Sequence, residues 1–300
     1  MCGIAGLFFK NKSLEPFLGK LFSEMLDCMS SRGADSAGFA VYGSTVSAGN
    51  LKVTLQHPGP EFPWRQLSAA LQKQFKQKPK VETVSNHAIF TLRGEEAAVQ
   101  RFIRAQFPAV NIMSVGRRIE IMKETGLPCT VLERFGVREM RGSHAIGHTR
   151  MATESAVTTA GSHPFSTGQD LCLVHNGSLS NHNTLRRNLR REGIEFQTEN
   201  DSEVAAGYLT WRLREGDTLD QALEKALKDL DGFYTFTIGT RDGFAVLRDP
   251  IACKPAVMAE TADYVAMASE YRSLAVLPGI EKARIWEPEP AKIYTWNAKN

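Results

Sequence analysis

Cysteine is scarce and scattered: five residues in 300, at positions 2, 28, 129, 172 and 253, with no C-x-x-C pair. An odd, widely spaced set of this kind argues against a disulfide framework, a structural zinc site or a ligand set for a metal cluster. Long apolar runs are missing too, since none approaches the ~20 residues that span a bilayer. The opening residues lack the basic region of a secretory leader, and Lys10, Lys12 and Glu15 follow the first apolar run. Neither charge dominates: 36 Lys and Arg stand against 33 Asp and Glu, a net charge of +3. Without a basic block or aromatic–basic interleaving, nothing points to nucleic acid. The chain also lacks internal repeats, a phosphate-binding G-x-x-x-x-G-K-[ST] loop and a dinucleotide G-x-G-x-x-G turn. These absences predict a soluble cytoplasmic protein with no membrane or nucleic-acid partner.

What is present is ample core material, 42% hydrophobic, in a pattern that mixes strands and helices. "GIAGLFF" after Cys2 is dense enough for a buried strand, and apolar residues from Leu14 to Met29 recur at helical spacing. "AGFAVYG" and "KVTLQ" read as strands. From about 51 to 143 the texture changes, with more charge and prolines at 58, 60, 63, 79, 108 and 128. Within it "HAIFTLRG" reads as a strand, "EEAAVQRFIRAQF" as a helix and "NIMSVGRRIEIM" as one extended segment. This stretch is predicted to be an inserted α/β lobe within a single domain spanning 2–300. "SHAIGHTR" and "DLCLVHNGS" resume the strands, and helices follow over 182–192, from Asn200, and from Thr218. Thr218 and Gln221 form a capping box, and Gly232 is placed at that last helix's end. Short strands complete the chain. Strands at both ends with helices between predict an α+β layered fold rather than a parallel sheet.

Four polar patches stand at element ends: Cys2-Gly3, "GHTRMAT" (147–153), "VHNGS" (174–178) and "TENDSE" (198–203). Removal of Met1 would leave Cys2 with a thiol and a free α-amine, a nucleophile and its base in one residue. That amine titrates near ~7.7–8.0, so it can take the thiol proton at working pH. Asn176 offers a side-chain amide and Gly177 an unobstructed backbone N–H for a tetrahedral oxyanion. Arg150 can grip a carboxylate bidentately, and Asp201 can pair with an ammonium. Taken singly, each has a plainer reading. Cys2 would be a small core residue, Asn176-Gly177 a hairpin turn, Asp201 a helix N-cap or first-turn acid and Arg150 a solvated or salt-bridged surface group. The histidines carry no metal-binding spacing.

Taken in order, "MCGIAG", "SRGADSAG", "GHTRMAT", "HNG", "NDSE" and "RDPIACKP" resemble the class II glutamine amidotransferases, enzymes of the N-terminal-nucleophile hydrolase group. The resemblance covers residues 2–50 and roughly 144–277. It implies a four-layer αββα sandwich, two antiparallel sheets between helix layers. It also implies Cys2 as nucleophile, Asn176 and Gly177 as oxyanion hole, Arg150 on the glutamine carboxylate and Asp201 on its α-amino group. Arg32 and Thr153 would support the pocket. The chain departs from the family pattern at Glu154, where Gly or His is usual, and at Ala252, where Gly is usual. A free-standing amidotransferase with a long insertion looks like the small subunit of glutamate-synthase-type enzymes, N-methylglutamate synthase in particular. That likeness implies L-glutamine as substrate and no cofactor on this chain. FMN and iron–sulfur groups would sit on the synthase subunits, with 51–143 as docking surface. Two other readings stand beside it: a γ-glutamyl amide hydrolase without ammonia transfer, and an inert structural or regulatory subunit.

Overall fold

A computed structural model describes residues 2–59, 61–152 and 156–298. The chain opens with β1 (Gly3–Phe9), a 3-10 segment (Lys12–Phe17) and α1 (Leu18–Asp27), then β2 (Ser36–Tyr42) and β3 (Asn50–Gln56). Next come α2 (Trp64–Phe75), β4 (Lys80–Val84), β5 (His87–Arg93), α3 (Glu96–Gln106) and β6 (Asn111–Gly116). They are followed by β7 (Ile119–Thr125), α4 (Pro128–Arg134), β8 (His144–Arg150), β9 (Phe165–Gly168) and β10 (Leu171–Leu179). The helices α5 (His182–Arg191), α6 (Asp201–Arg214) and α7 (Leu219–Asp229) lead to β11 (Gly232–Thr240), β12 (Gly243–Arg248), β13 (Val257–Glu260) and β14 (Tyr264–Ala268). The described chain closes with α8 (Tyr271–Leu274), β15 (Arg284–Trp286) and β16 (Ile293–Asn297).

One sheet of seven strands runs β15-β13-β14-β1-β8-β2-β7, and a second of five runs β16-β12-β11-β10-β9. Every strand pair in both is antiparallel. Side-chain alternation along β1 shows how they stack. Ala5, Leu7 and Phe9 pack into a core with α1 and α4, whereas Ile4 and Phe8 pack with Val174, Phe244 and Val246 of the second sheet. Both faces of β1 are therefore buried, which is why it reads as a continuous apolar run rather than an alternating one. The second sheet's outer face carries α5, α6 and α7 on a further core. Helix, sheet, sheet, helix is the four-layer order that the resemblance implied.

The stretch after β2 holds a sheet of its own, β4-β5-β3-β6, with α2 and α3 packed on one face around Val53, Leu67, Phe90, Val99 and Ile103. This separate sheet ends at Gly116, well short of residue 143. The segment read as one extended piece, "NIMSVGRRIEIM", is two strands in different sheets: β6 belongs to the small sheet, whereas β7 pairs with β2 in the large one. The Asp170 carboxylate makes the turn between them, accepting from the backbone N–H groups of Arg117, Arg118 and Ile119. An acid 51 or more residues away has no local signature.

Other expectations also shift. The helix expected from Leu14 begins at Leu18, because Pro16 lies in the preceding 3-10 segment and has no N–H to continue an α-helical ladder. Helices α2 and α4 were not foreseen. The capping box of Thr218 and Gln221 forms as read, but α7 stops at Asp229, and Gly232 starts β11 instead of capping the helix.

Phe244 is fully buried where the sheets meet, 6.5 Å from the Phe8 ring and 5.9 Å from Trp296 between centroids. Phe244→Ala is expected to cost about 3–5 kcal/mol, a large share of a typical domain's stability. Chemical denaturation checks this; a loss below 1 kcal/mol would mean that the sheet interface repacks freely.

Candidate active site

Cys2 stands one residue before β1, whose neighbour on one side is the end of β8, with Gly3 opposite Thr149. Its thiol lies 3.8 Å from the Met151 carbonyl oxygen. The Cys2 carbonyl is gripped from two directions. Arg32, from the loop after α1, donates Nε–H at 2.9 Å, and Asn176, from β10 in the opposite sheet, donates Nδ2–H at 3.3 Å. The two sheets thus meet at the nucleophile candidate itself. Arg32 is in turn held by Glu270 at 2.6 Å, and its hydrogen bond keeps the Glu270 carboxyl below the usual range.

Asn176-Gly177 is not a hairpin turn. It lies inside β10, with Asn176 opposite Thr235 and Gly177 opposite Tyr234 of β11. Gly177 has φ of 153°, and a Cβ there would come within 2.0 Å of the Phe233 carbonyl oxygen, so glycine alone fits. Arg150 is not a solvated surface group either: it is 7% exposed, at the end of β8, and its Nη1 donates to the Ala156 carbonyl at 3.3 Å. The "RGADS" turn buttresses that strand end. Gly33 packs so closely that a Cβ would sit 2.5 Å from the Thr149 carbonyl carbon, and Asp35 accepts from the Ala152 N–H at 2.7 Å.

Asp201 opens α6, behind the N-cap Asn200, whose side chain accepts from the Ser202 N–H. It therefore does occupy a first helical turn, as the plainer reading had it. It also reaches across to accept from the Leu179 N–H of β10 at 2.9 Å. His175 lies 3.8 Å from its other oxygen, but burial lowers that imidazole's pKa and favours the neutral form. The carboxylate charge is thus not cancelled by its neighbour. Of the residues singled out in the sequence, Cys2, Arg32, Arg150, Asn176, Gly177 and Asp201 stand on the elements that meet at this end of the sandwich. Thr153 and Glu154 lie outside the described residues, as does Met1.

Two groups escaped the sequence reading. Ser269 and Glu270 follow β14; Ser269 Oγ accepts from the Ile4 N–H at 2.9 Å, and Glu270 anchors Arg32. Their only sequence signal was a strand ending in polar residues. The second group is a buried histidine assembly. Ser202 Oγ meets His175 Nδ1 at 2.8 Å and His163 Nε2 at 2.9 Å, and the His148 and His163 rings stack at 4.0 Å. Burial holds His148 down to about 3 and depresses His163 as well, so the assembly is a neutral packed support. Among the described residues no group of three or more His, Cys, Asp or Glu is disposed to hold a metal ion. No described helix is long and apolar enough to cross a membrane.

Residues 148–276 match the model of the glutamine amidotransferase domain family. Over 298 residues the chain is 58% identical to the glutamine amidotransferase-like protein GlxB of Rhizobium meliloti, covering 99% of this chain and 98% of that one. The chain belongs to the glutamine amidotransferase family. It is a class II glutamine amidotransferase. A putative glutamine amidotransferase of Methanothermobacter thermautotrophicus is 31% identical over 307 residues, covering 98% of this chain and 99% of that one. The amidotransferase also superposes on the solved glutamine phosphoribosylpyrophosphate amidotransferase of B. subtilis with a TM-score of 0.62 at 21% identity. That match covers 99% of this chain but 48% of the solved one, and it establishes the shared fold.

In this amidotransferase the departure at Ala252 has a structural consequence. Ala252 has φ of 52°, in the left-handed region that favours glycine. It sits in a loop tied to the site: Asp249 accepts from the Tyr234 N–H, and Tyr234 is the residue paired with Gly177. Ala252→Gly relieves a strain of roughly 1–2 kcal/mol but adds about 0.5–1 kcal/mol of unfolded-state entropy. The net expectation is a small stabilisation, read as a higher melting temperature; a lower one would show that the loop is not strained.

Proposed function

We propose that this chain hydrolyses L-glutamine to glutamate and ammonia through a thioester on Cys2. We further propose that it passes the ammonia to a separate synthase subunit of the glutamate synthase or N-methylglutamate synthase type. The observation that carries the hydrolytic half is the convergence of Asn176 and Arg32 on the Cys2 carbonyl, which sets the terminal residue against the oxyanion-stabilising candidates.

With Met1 removed, the α-amine of Cys2 takes the thiol proton and the thiolate attacks the glutamine carboxamide carbon. The carbonyl oxygen becomes an oxyanion. An amide nitrogen carries two hydrogens, so Asn176 can keep one on the Cys2 carbonyl and turn the other to the oxyanion, beside the Gly177 N–H. Return of the amine's proton to the leaving nitrogen expels ammonia and leaves the thioester. Water, deprotonated by the same amine, then releases glutamate and restores the thiol. Arg150 would hold the substrate carboxylate and Asp201 its ammonium, with Arg32 fixing the Cys2 backbone from below.

The synthase half rests on the early-strand insertion and on the lack of cofactor motifs in this chain. FMN and iron–sulfur groups would belong to the partner subunits, and the small sheet of residues 50–116 is the candidate docking lobe.

The test is an intact mass before and after exposure to a glutamine-mimicking diazoketone. Loss of Met followed by a single adduct on Cys2 is expected; a mass that retains Met1, with no adduct, would leave a non-catalytic scaffold. Asn176→Ala is expected to lower kcat about 10²–10³-fold with the protein still folded. Arg150→Lys should instead raise KM for glutamine about 10- to 100-fold, since one arm of a charge-assisted pair is lost. An unchanged KM would remove Arg150 from the carboxylate.

A further inference from the structure

Strand β7 carries a buried amine that the reaction above does not use. Lys123 is 4% exposed, and its Nζ donates to the carbonyls of Ala160 at 3.1 Å, Ser162 at 2.6 Å and Pro164 at 3.2 Å. It also stands 4.5 Å from the centroid of the Phe165 ring. Among the described residues, no carboxylate lies within ion-pair distance of it. Three carbonyls on one nitrogen need three N–H donors, which only the ammonium supplies.

The next residue, Glu124, ties the same segment from the other face of the strand. Its carboxylate accepts from Thr159 Oγ1 and, at 2.6 Å, from Asn86 Nδ2 at the tip of the β4–β5 hairpin. Residues 159–164 are therefore held to β7 at several points. This segment continues from Ala156, whose carbonyl accepts from the Arg150 guanidinium at 3.3 Å.

We propose that Lys123 is a positioning residue for the glutamine site, its ammonium holding segment 160–164 and through it the Arg150 guanidinium. The inference rests on the assignment of Arg150 to the glutamine carboxylate. A buried charge without a carboxylate partner is a costly way to gain stability, so a role in shaping this segment is the better account of its presence.

The consequence is a dependence of substrate binding on pH. Burial pulls Lys123 down to about 7, opposed by the Glu203 carboxylate on α6. The other titratable groups around it add no charge that changes in the working range. His163, in the segment itself, is kept neutral by burial, and His87 on β5 is held at about 3. The Thr159, Thr125 and Asn86 hydrogen bonds keep the Glu124 carboxyl below its ordinary value. Below about 7 Lys123 is an ammonium with three donors. Above that pH it keeps two hydrogens for three carbonyls, and the segment loosens. KM for glutamine is thus expected to rise with pH, while kcat rises separately as the Cys2 amine becomes neutral near ~7.7–8.0.

The experiment is steady-state glutamine hydrolysis by the full chain from pH 6 to 8.5, for the wild type and for Lys123→Met. The wild type is expected to show a rise in KM on the order of tenfold across that range. Lys123→Met should have a high KM that does not vary with pH and a kcat within about threefold of wild type at pH 8. A structural role alone would lower the amount of active protein and kcat, not move KM with pH. A flat wild-type KM, or a variant that follows the wild-type profile, overturns the proposal. If the variant does not fold, the wild-type profile decides. A wild-type chain that neither turns over glutamine nor takes the diazoketone label overturns the hydrolase reading itself, and this inference with it. Turnover and labelling with a flat KM overturn the positioning role alone.

Discussion

The backbone carbonyl of Cys2 is where the architecture converges. Strand β1 is hydrogen-bonded on both sides, to β14 and to β8, so its first residues cannot slide without breaking two ladders. At its end, the carbonyl takes one donor from the same half of the molecule, Arg32, and one from the facing sheet, Asn176. A terminal residue is ordinarily the most mobile part of a chain. Here Cys2, near the start of the sequence, is tied at its carbonyl, and its thiol is then confined to what rotation about a few bonds allows. That confinement suits the attack proposed for the Cys2 thiol.

The supporting groups around it are arranged by charge as well as by shape. Glu270 gives Arg32 a permanent partner, so the guanidinium stays where the Cys2 carbonyl needs it. The buried histidines under α6 are kept neutral by desolvation, so they bring no positive charge to the Asp201 carboxylate. Arg150 supplies the opposite charge from β8. An α-amino acid carries its ammonium and carboxylate at one end and, in glutamine, an amide at the other. The roles proposed for Arg150, Asp201 and Cys2 match that division of the substrate into a charged end and an amide end.

The small sheet after β3 adds a second layer of organisation. It has its own core, yet it touches the catalytic half through Asn86 and Glu124 on one side and through a Lys52–Glu120 ion pair at 2.6 Å on the other. Glu124 also holds Thr159, so one carboxylate joins the hairpin tip of this lobe to the segment beside Arg150. Contact with a partner at the lobe would have a short physical route to the segment beside Arg150, through groups that are hydrogen-bonded rather than merely adjacent.

Local chemistry made much of this legible in advance. The seven-residue apolar run of β1, the periodicity of α1, the capping box at Thr218 and the ordered motifs around Cys2, Arg150, Asn176 and Asp201 are all short-range patterns. A short-range pattern is what a linear sequence records. It did not reveal that "NIMSVGRRIEIM" divides between two sheets, because the turn depends on Asp170, far along the chain. Nor did it reveal Ser269, Glu270 or Lys123 as supports, since Ser269 and Lys123 meet backbone groups, and Glu270 the Arg32 guanidinium, that are brought near by the fold and not by spacing. Asn176-Gly177 is the clearest case: by itself it spells a hairpin, and only the pairing of β10 with β11 places it inside a strand, with the Asn176 amide turned to the Cys2 carbonyl. The sequence alone determined which chemical groups were present and in what order. The tertiary structure decided which of them meet, because antiparallel pairing brings together residues that lie as much as 265 positions apart.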